Sequence, residues 1–156
     1  KIWPEYEPLI STCAKELMES MECAVHGDFS PKNILAGPSG TWVLDFEVTH
    51  VGNPVFDLAF LIAHLVCKFF RTDDRLHAKL LANTATAFVK EYEKIRPISP
   101  SVAKHAALIA LARVEGKSPV NYLSVEQQRK LQSFTKAVLG NNANLAVGEL
   151  FEMSAK

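Results

Sequence analysis

At 156 residues, 48% of them hydrophobic and 22% charged, the chain has the length and make-up of a globular domain, which excludes a disordered tract. Its 17 Lys and Arg stand against 17 Asp and Glu, so no basic field calls for nucleic acid or an anionic membrane surface, and there is no acidic tail. Cys13, Cys23 and Cys67 form neither a C-x-x-C pair nor a zinc-spaced cluster with histidine, a usage that fits the reducing cytoplasm.

The chain opens on Lys1 rather than Met, in K-I-W-P-E-Y-E-P, without the charged, apolar and cleavage regions of a signal peptide, as expected of a piece that begins inside a longer protein. Pro8 to Met21 reads as a helix, because Leu9, Ile10, Cys13, Leu17 and Met21 recur at three-to-four spacing and form a stripe that should face a core. Cys23 to His26 and Ile34 to Ala36 are short apolar runs, and G-P-S-G at 37–40 is dense turn chemistry before Thr41 to Phe46. The pattern predicts a small hairpin that runs out along Ile34 to Ala36 and returns along Trp42 to Leu44, bringing Asn33 and Asp45 to one end.

Val55 to Phe70 is the most apolar stretch, but Asp57, His64 and Lys68 interrupt it, and it is too short for a bilayer core of roughly 30 Å. No membrane segment is expected. Helices are predicted over about 56–71, 73–94, 101–115 and 124–139, with a weaker one near 143–153, punctuated by Pro97, Pro100, Pro119, Gly116 and Gly140. Asp73 and Ser124 are the expected N-caps, the latter with Gln127 as a capping box. With no repeat, low-complexity tract or linker, residues 1–156 read as one α+β domain, mostly helical with one small sheet.

The chemistry concentrates in V-H-G-D-F-S-P-K-N-I-L at 25–35 and in Asp45 of L-D-F-E, twelve residues past Asn33. Phosphoryl transfer asks a protein for positioning, charge neutralisation by metal ions, and a carboxylate near the acceptor hydroxyl. Asp28 can accept the substrate proton, while the carboxamide of Asn33 and the carboxylate of Asp45 are oxygen ligands of the kind Mg²⁺ takes. His26 is expected to support the loop by bonding neighbouring backbone, Gly27 to let it turn tightly and Pro31 to stiffen it. Asp57 opens an apolar helix and reads as a capping acid or a buried acid satisfied by backbone N–H groups. Glu47 could approach the metal, bind a cationic substrate or be an exposed loop acid, and Lys32 could meet a phosphate or be solvated. His50, His64, His77 and His105 share no metal spacing and read as surface or satisfied core residues. Arg113, Glu115 and Lys117 could line an acceptor site, although charges at a helix end are usually structural or solvated.

H-G-D-F-S-P-K-N at 26–33, L-D-F-E at 44–47 and G-N-P-V-F-D-L-A at 52–59 resemble the aminoglycoside phosphotransferase and choline kinase group, small-molecule kinases of the protein-kinase-like fold. The resemblance implies a C-terminal lobe whose small hairpin carries the catalytic loop and metal ligands, with ATP and Mg²⁺ as cofactors and a small-molecule hydroxyl as acceptor. By it Asp28 looks like the catalytic base, Asn33 and Asp45 like the metal ligands, Asp57 like the buried acid that braces the loop, and His26 like the loop's structural histidine. Ser30 stands where many protein kinases place a lysine, two residues after the base, and Asn53 stands where the group often has an acid. Such enzymes carry a preceding N-terminal lobe that supplies a phosphate-covering loop, a lysine and a glutamate. Only 25 residues precede His26, and they hold no Gly-rich loop. The chain therefore resembles a C-terminal lobe alone, whose missing N-terminal lobe is its expected partner and without which Mg-ATP should bind weakly. A non-catalytic helical interaction module or pseudokinase, and a metal-dependent phosphoesterase, are the alternative readings.

Overall fold

The computed structural model describes residues 4–117, 119–140 and 145–154. After a 3-10 turn at Pro4–Tyr6 comes helix α1, Glu7–Glu19, with a proline in its first turn, where the missing N–H would have no helical partner. Its stripe meets the core only in part. Cys13 is buried and Leu9 and Leu17 pack against the core, but Ile10 is exposed and Met21 lies exposed beyond the helix end. The helix thus rests on one edge of the core rather than lying across it.

Two small antiparallel sheets follow. Strand β1, Cys23–Val25, leads into the loop, and β2, Ile34–Gly37, turns back through Pro38 and Ser39 into β3, Gly40–Val43, in the register Ile34↔Val43, Leu35↔Trp42 and Gly37↔Gly40. This is the expected hairpin, with Leu44 N–H donating to the Asn33 carbonyl at 2.9 Å to extend the pairing one step toward the loop. The sequence reading missed a fourth strand, β4, His50–Gly52, which pairs with β1 in the register Cys23↔Gly52, Ala24↔Val51 and Val25↔His50.

The helical part is built on α2, Val55–Arg71, whose Leu58, Leu61, Ile62, Leu65, Val66 and Cys67 are all buried. A helix apolar on most of its circumference must be surrounded, and α2 packs on α3 (Arg75–Glu93), α4 (Val102–Glu115), α5 (Val125–Gly140) and α6 (Val147–Ser154). Its broadest contact is with α4, whose buried positions include Ala103, Ala106, Ala107 and Ala110. Small side chains there let the two axes approach closely. No helix among the described residues is long and apolar enough to cross a membrane.

The caps hold in kind, with one shifted. Ser124 and Gln127 form the reciprocal capping box, Ser124 N–H to Gln127 Oε1 at 3.0 Å and Gln127 N–H to Ser124 Oγ at 3.3 Å. At α3 the cap is Asp74, whose Oδ1 accepts from Leu76 N–H at 2.7 Å, rather than its neighbour Asp73. The prediction near 143–153 is met by α6 from Val147; its positions 143–144 lie outside the described residues.

Candidate active site

The loop between β1 and β2 is held by the first turn of α2. Asp57 Oδ2 accepts from His26 N–H at 2.6 Å and Oδ1 from Gly27 N–H at 3.0 Å, so one carboxylate satisfies two backbone donors 31 and 30 residues away. Asp57 therefore serves a different segment instead of capping its own helix. The chain can turn there because Gly27 sits at φ +83°; a Cβ would lie 2.7 Å from the carbonyl oxygen of Val48.

His26 is buried, and its ring links the loop to the end of the hairpin. Nδ1 accepts from Asp28 N–H at 3.2 Å, which leaves Nε2 as the protonated nitrogen that donates to the Leu44 carbonyl at 2.8 Å. Leu44 precedes Asp45, so the same ring orders the loop and the approach to Asp45. Phe29 and Phe46 pack on it, with ring centroids 5.9 and 4.9 Å away.

Asn33 is buried, and its Nδ2 donates to the Asp28 carbonyl at 2.9 Å and to Asp28 Oδ2 at 3.1 Å. Because both partners are acceptors, the carboxamide nitrogen must face Asp28, which leaves Oδ1 as its open end. Lys32 Nζ also approaches Asp28 Oδ2, at 2.8 Å, while Asp28 Oδ1 has no partner among the described residues. Lys32 is thus paired as well as exposed. Asp45 is exposed at φ +69°, the one positive φ at a non-glycine among the described residues. A residue held there costs on the order of 1 kcal/mol, strain that is frequent where a side chain must point in a set direction.

The structure accordingly brings Asp28, Asn33 and His26 into one bonded group, braces it with Asp57 and sets Asp45 at the adjoining hairpin end. Asn33 Oδ1 and the Asp45 carboxylate are hard oxygen donors suited to a small divalent cation. Glu47 is exposed, and so is Lys117. Asn53, in doubt from its sequence position, takes a capping role: its Oδ1 accepts from Val55 N–H at 2.9 Å and its Nδ2 donates to the Glu16 carbonyl at 3.3 Å, tying α2 to α1.

Beside Asp28 lies a cavity of about 440 Å³ that sequence reasoning did not find. Ser30, His64, Lys68 and Tyr122 contribute to its wall, as does Arg113. His64 is buried, and its Nε2 has no partner among the described residues, contrary to the reading of a surface or satisfied histidine. Burial, aided by Arg113, pulls its pKa down from 6.5 to about 4.

Outside this region one group of metal-ligating residues lies close together among the described residues, Cys13, Glu16 and His105. Both His105 nitrogens already face carbonyls, Ser101 O at 2.9 Å and Cys13 O at 3.3 Å, and burial pushes the Cys13 thiol up, away from the thiolate that binds metal. The group is best explained as a polar tie between α1 and α4.

The model of the phosphotransferase enzyme family matches residues 2–98, more than half of the chain. No curated protein matches it. The chain belongs to the phosphotransferase enzyme family, and the resemblance drawn from its motifs is met.

Proposed function

We propose that this chain is the C-terminal lobe of a kinase that transfers the γ-phosphoryl group of ATP to a hydroxyl of a small molecule. The observation that carries the reading is the arrangement of Asp28 against Asn33, with Asp45 at the hairpin end beside them, in a member of the phosphotransferase enzyme family. In the transfer a bond forms between the acceptor oxygen and the γ-phosphorus, and the bond from that phosphorus to the β,γ-bridging oxygen breaks. ADP leaves with that electron pair and the acceptor proton goes to Asp28 Oδ1.

Each residue has a part in that step. Lys32 and Asn33 hold Asp28 through Oδ2, so Oδ1 is the oxygen presented to the acceptor. Asn33 Oδ1 and Asp45 would hold Mg²⁺, which when bound neutralises phosphate charge and orients the transferred group. His26 keeps the loop and the Asp45 segment in register, and Asp57 fixes both to α2.

A preceding lobe is the proposed partner. Leu35, Trp42, Leu44, Phe46 and Val48, on or just after the hairpin, are exposed apolar residues that such a lobe would cover. The buried free thiols Cys13 and Cys67 suit a reducing compartment, and we place the protein in the cytoplasm, with no role for nucleic acid or membrane.

The test is turnover of the full-length protein with Mg-ATP and a panel of hydroxyl acceptors, comparing wild type with Asp28→Asn. A general base is worth roughly 10² to 10⁴ in rate, so the variant should lose about 3 to 5 kcal/mol of transition-state stabilisation with its fold intact. Near-normal transfer by Asp28→Asn would remove Asp28 from the chemistry, and absence of transfer by the wild type would favour the non-catalytic reading.

A further inference from the structure

The cavity beside Asp28 has an unusual wall. Three buried polar atoms without a hydrogen-bond partner among the described residues, Ser30 Oγ, His64 Nε2 and Tyr122 Oη, all belong to residues that line it. Buried polar groups are nearly always satisfied in folded proteins, so three exceptions on residues around one space mark its wall as polar and incompletely satisfied. Asn33 and Asp45 do not line the cavity, which separates it from the proposed metal ligands.

Its charge is one-sided. Lys32, Lys68 and Arg113 contribute to the wall, and Asp28 is its one carboxylate, already 2.8 Å from Lys32 Nζ. Lys68 Nζ lies 5.8 Å from the centroid of the Tyr122 ring, a cation–π contact between two residues of this wall. His64 adds no positive charge near neutrality, and burial pushes the Tyr122 phenol up to about 12, so both stay neutral hydrogen-bonding groups. A cationic amino alcohol or aminoglycoside would meet like charge here.

We propose that this cavity is the acceptor site and that the acceptor is an anionic hydroxyl compound, its carboxylate or phosphate set against Lys68 and Arg113 and its hydroxyl at Asp28. Ser30, His64 and Tyr122 are the neutral polar residues of the wall between those two ends. The proposal rests on the phosphoryl-transfer reading for the use made of the site, but not for its charge preference. Arg113 and Tyr122 lie beyond residues 2–98, so membership of the family leaves this preference open.

The first arm measures transfer by the full-length protein, with Mg-ATP saturating, to glycerate, glycerol 3-phosphate, glycerol and choline. The anionic acceptors should exceed choline by about tenfold or more in kcat/KM, and the better of the two distinguishes carboxylate from phosphate. Lys68→Gln should raise the KM of the anionic acceptor by about tenfold and leave that for ATP unchanged. Preference for choline, or a change confined to the KM for ATP, overturns the proposal while leaving phosphoryl transfer standing.

The second arm does not depend on turnover. Binding of glycerate, glycerol 3-phosphate and choline to the same protein is followed by NMR titration in wild type, Lys68→Gln and Tyr122→Phe. Saturable binding of an anion that weakens in both variants is expected. Tyr122→Phe removes an unpartnered hydroxyl, so it should leave the melting temperature equal or higher while weakening binding, a pairing of signs that a structural role would not produce. Failure of both anions to bind, or tighter binding of choline, overturns the proposal whatever the enzyme assay returns.

Discussion

Asp57→Ala is the substitution on which the architecture of the loop depends most. It removes a carboxylate that accepts from two backbone donors, at 2.6 Å from His26 N–H and 3.0 Å from Gly27 N–H, and leaves both without a partner. Hydrogen bonds to charged groups contribute about 1.5 to 3 kcal/mol each, and two on one half-buried carboxylate are not additive, so a loss of about 2 to 4 kcal/mol is expected. For a domain of this size that is a fall of about 5 to 15 °C in melting temperature, read by calorimetry or circular dichroism. Asp73→Ala, which removes an exposed acid, is the control and should change stability by less than about 0.5 kcal/mol. Asp57→Asn should lie between, since the amide keeps one acceptor but turns an NH₂ toward the second donor. Hydrogen exchange at His26 and Gly27 should accelerate in step with the loss. A melting temperature for Asp57→Ala within a degree or two of wild type would refute the brace.

Further outcomes follow from the same geometry. Gly27→Ala should destabilise by about 1 to 3 kcal/mol in denaturant titrations, because it combines a left-handed φ with a Cβ 2.7 Å from the Val48 carbonyl oxygen; wild-type stability would mean that the turn can relax. His64 has a folded pKa of about 4 against an ordinary 6.5, so its neutral form contributes stability that is complete above pH 6.5 and declines as the pH falls toward 4. Burial and the cations Arg113, Lys68 and Lys32 act in that direction against Asp28, so His64→Gln should flatten the acid side of the stability profile; an unchanged slope would contradict the assignment. Burial pushes the Cys67 thiol up to about 12, so it should resist a thiol reagent in native protein at pH 8 and react on unfolding; early labelling at Cys67 would count against this packing. By calorimetry this chain alone should bind Mg-ATP weakly, and micromolar affinity would contradict the proposed need for a preceding lobe.

What could be read from the sequence was local. Ile34 to Ala36, the G-P-S-G turn and Trp42 to Leu44 lie within a few residues of each other, so the hairpin and the meeting of Asn33 with the Asp45 end followed from turn chemistry. The long helices declared themselves through periodicity, and the Ser124–Gln127 box through its spacing. Strand β4 did not, because three residues between a loop and Asn53-Pro54 are too few to show alternation and their pairing with β1 is settled only in three dimensions. The Asp73 reading missed by one residue, as helix ends often do when two acids are adjacent. The cavity wall was illegible for a deeper reason: Ser30, His64 and Tyr122 are far apart in the chain, on the loop before β2, on α2 and on the connection from α4 to α5, and only tertiary packing around α2 brings them together. The sequence reading left the charge at Arg113 open between an acceptor site and a structural role, and no local pattern distinguishes a cation that lines a cavity from one in solvent.

Phosphoryl transfer itself can be observed by ³¹P NMR of the full-length protein with ATP, Mg²⁺ and the anionic acceptors, run beside Asp28→Asn and Asp45→Asn. The account predicts a phosphomonoester resonance growing as the γ-phosphate of ATP declines in the wild type, slowed by roughly 10² or more in Asp28→Asn and recovered in part by excess Mg²⁺ in Asp45→Asn. A phosphomonoester formed at the wild-type rate by Asp28→Asn would contradict it.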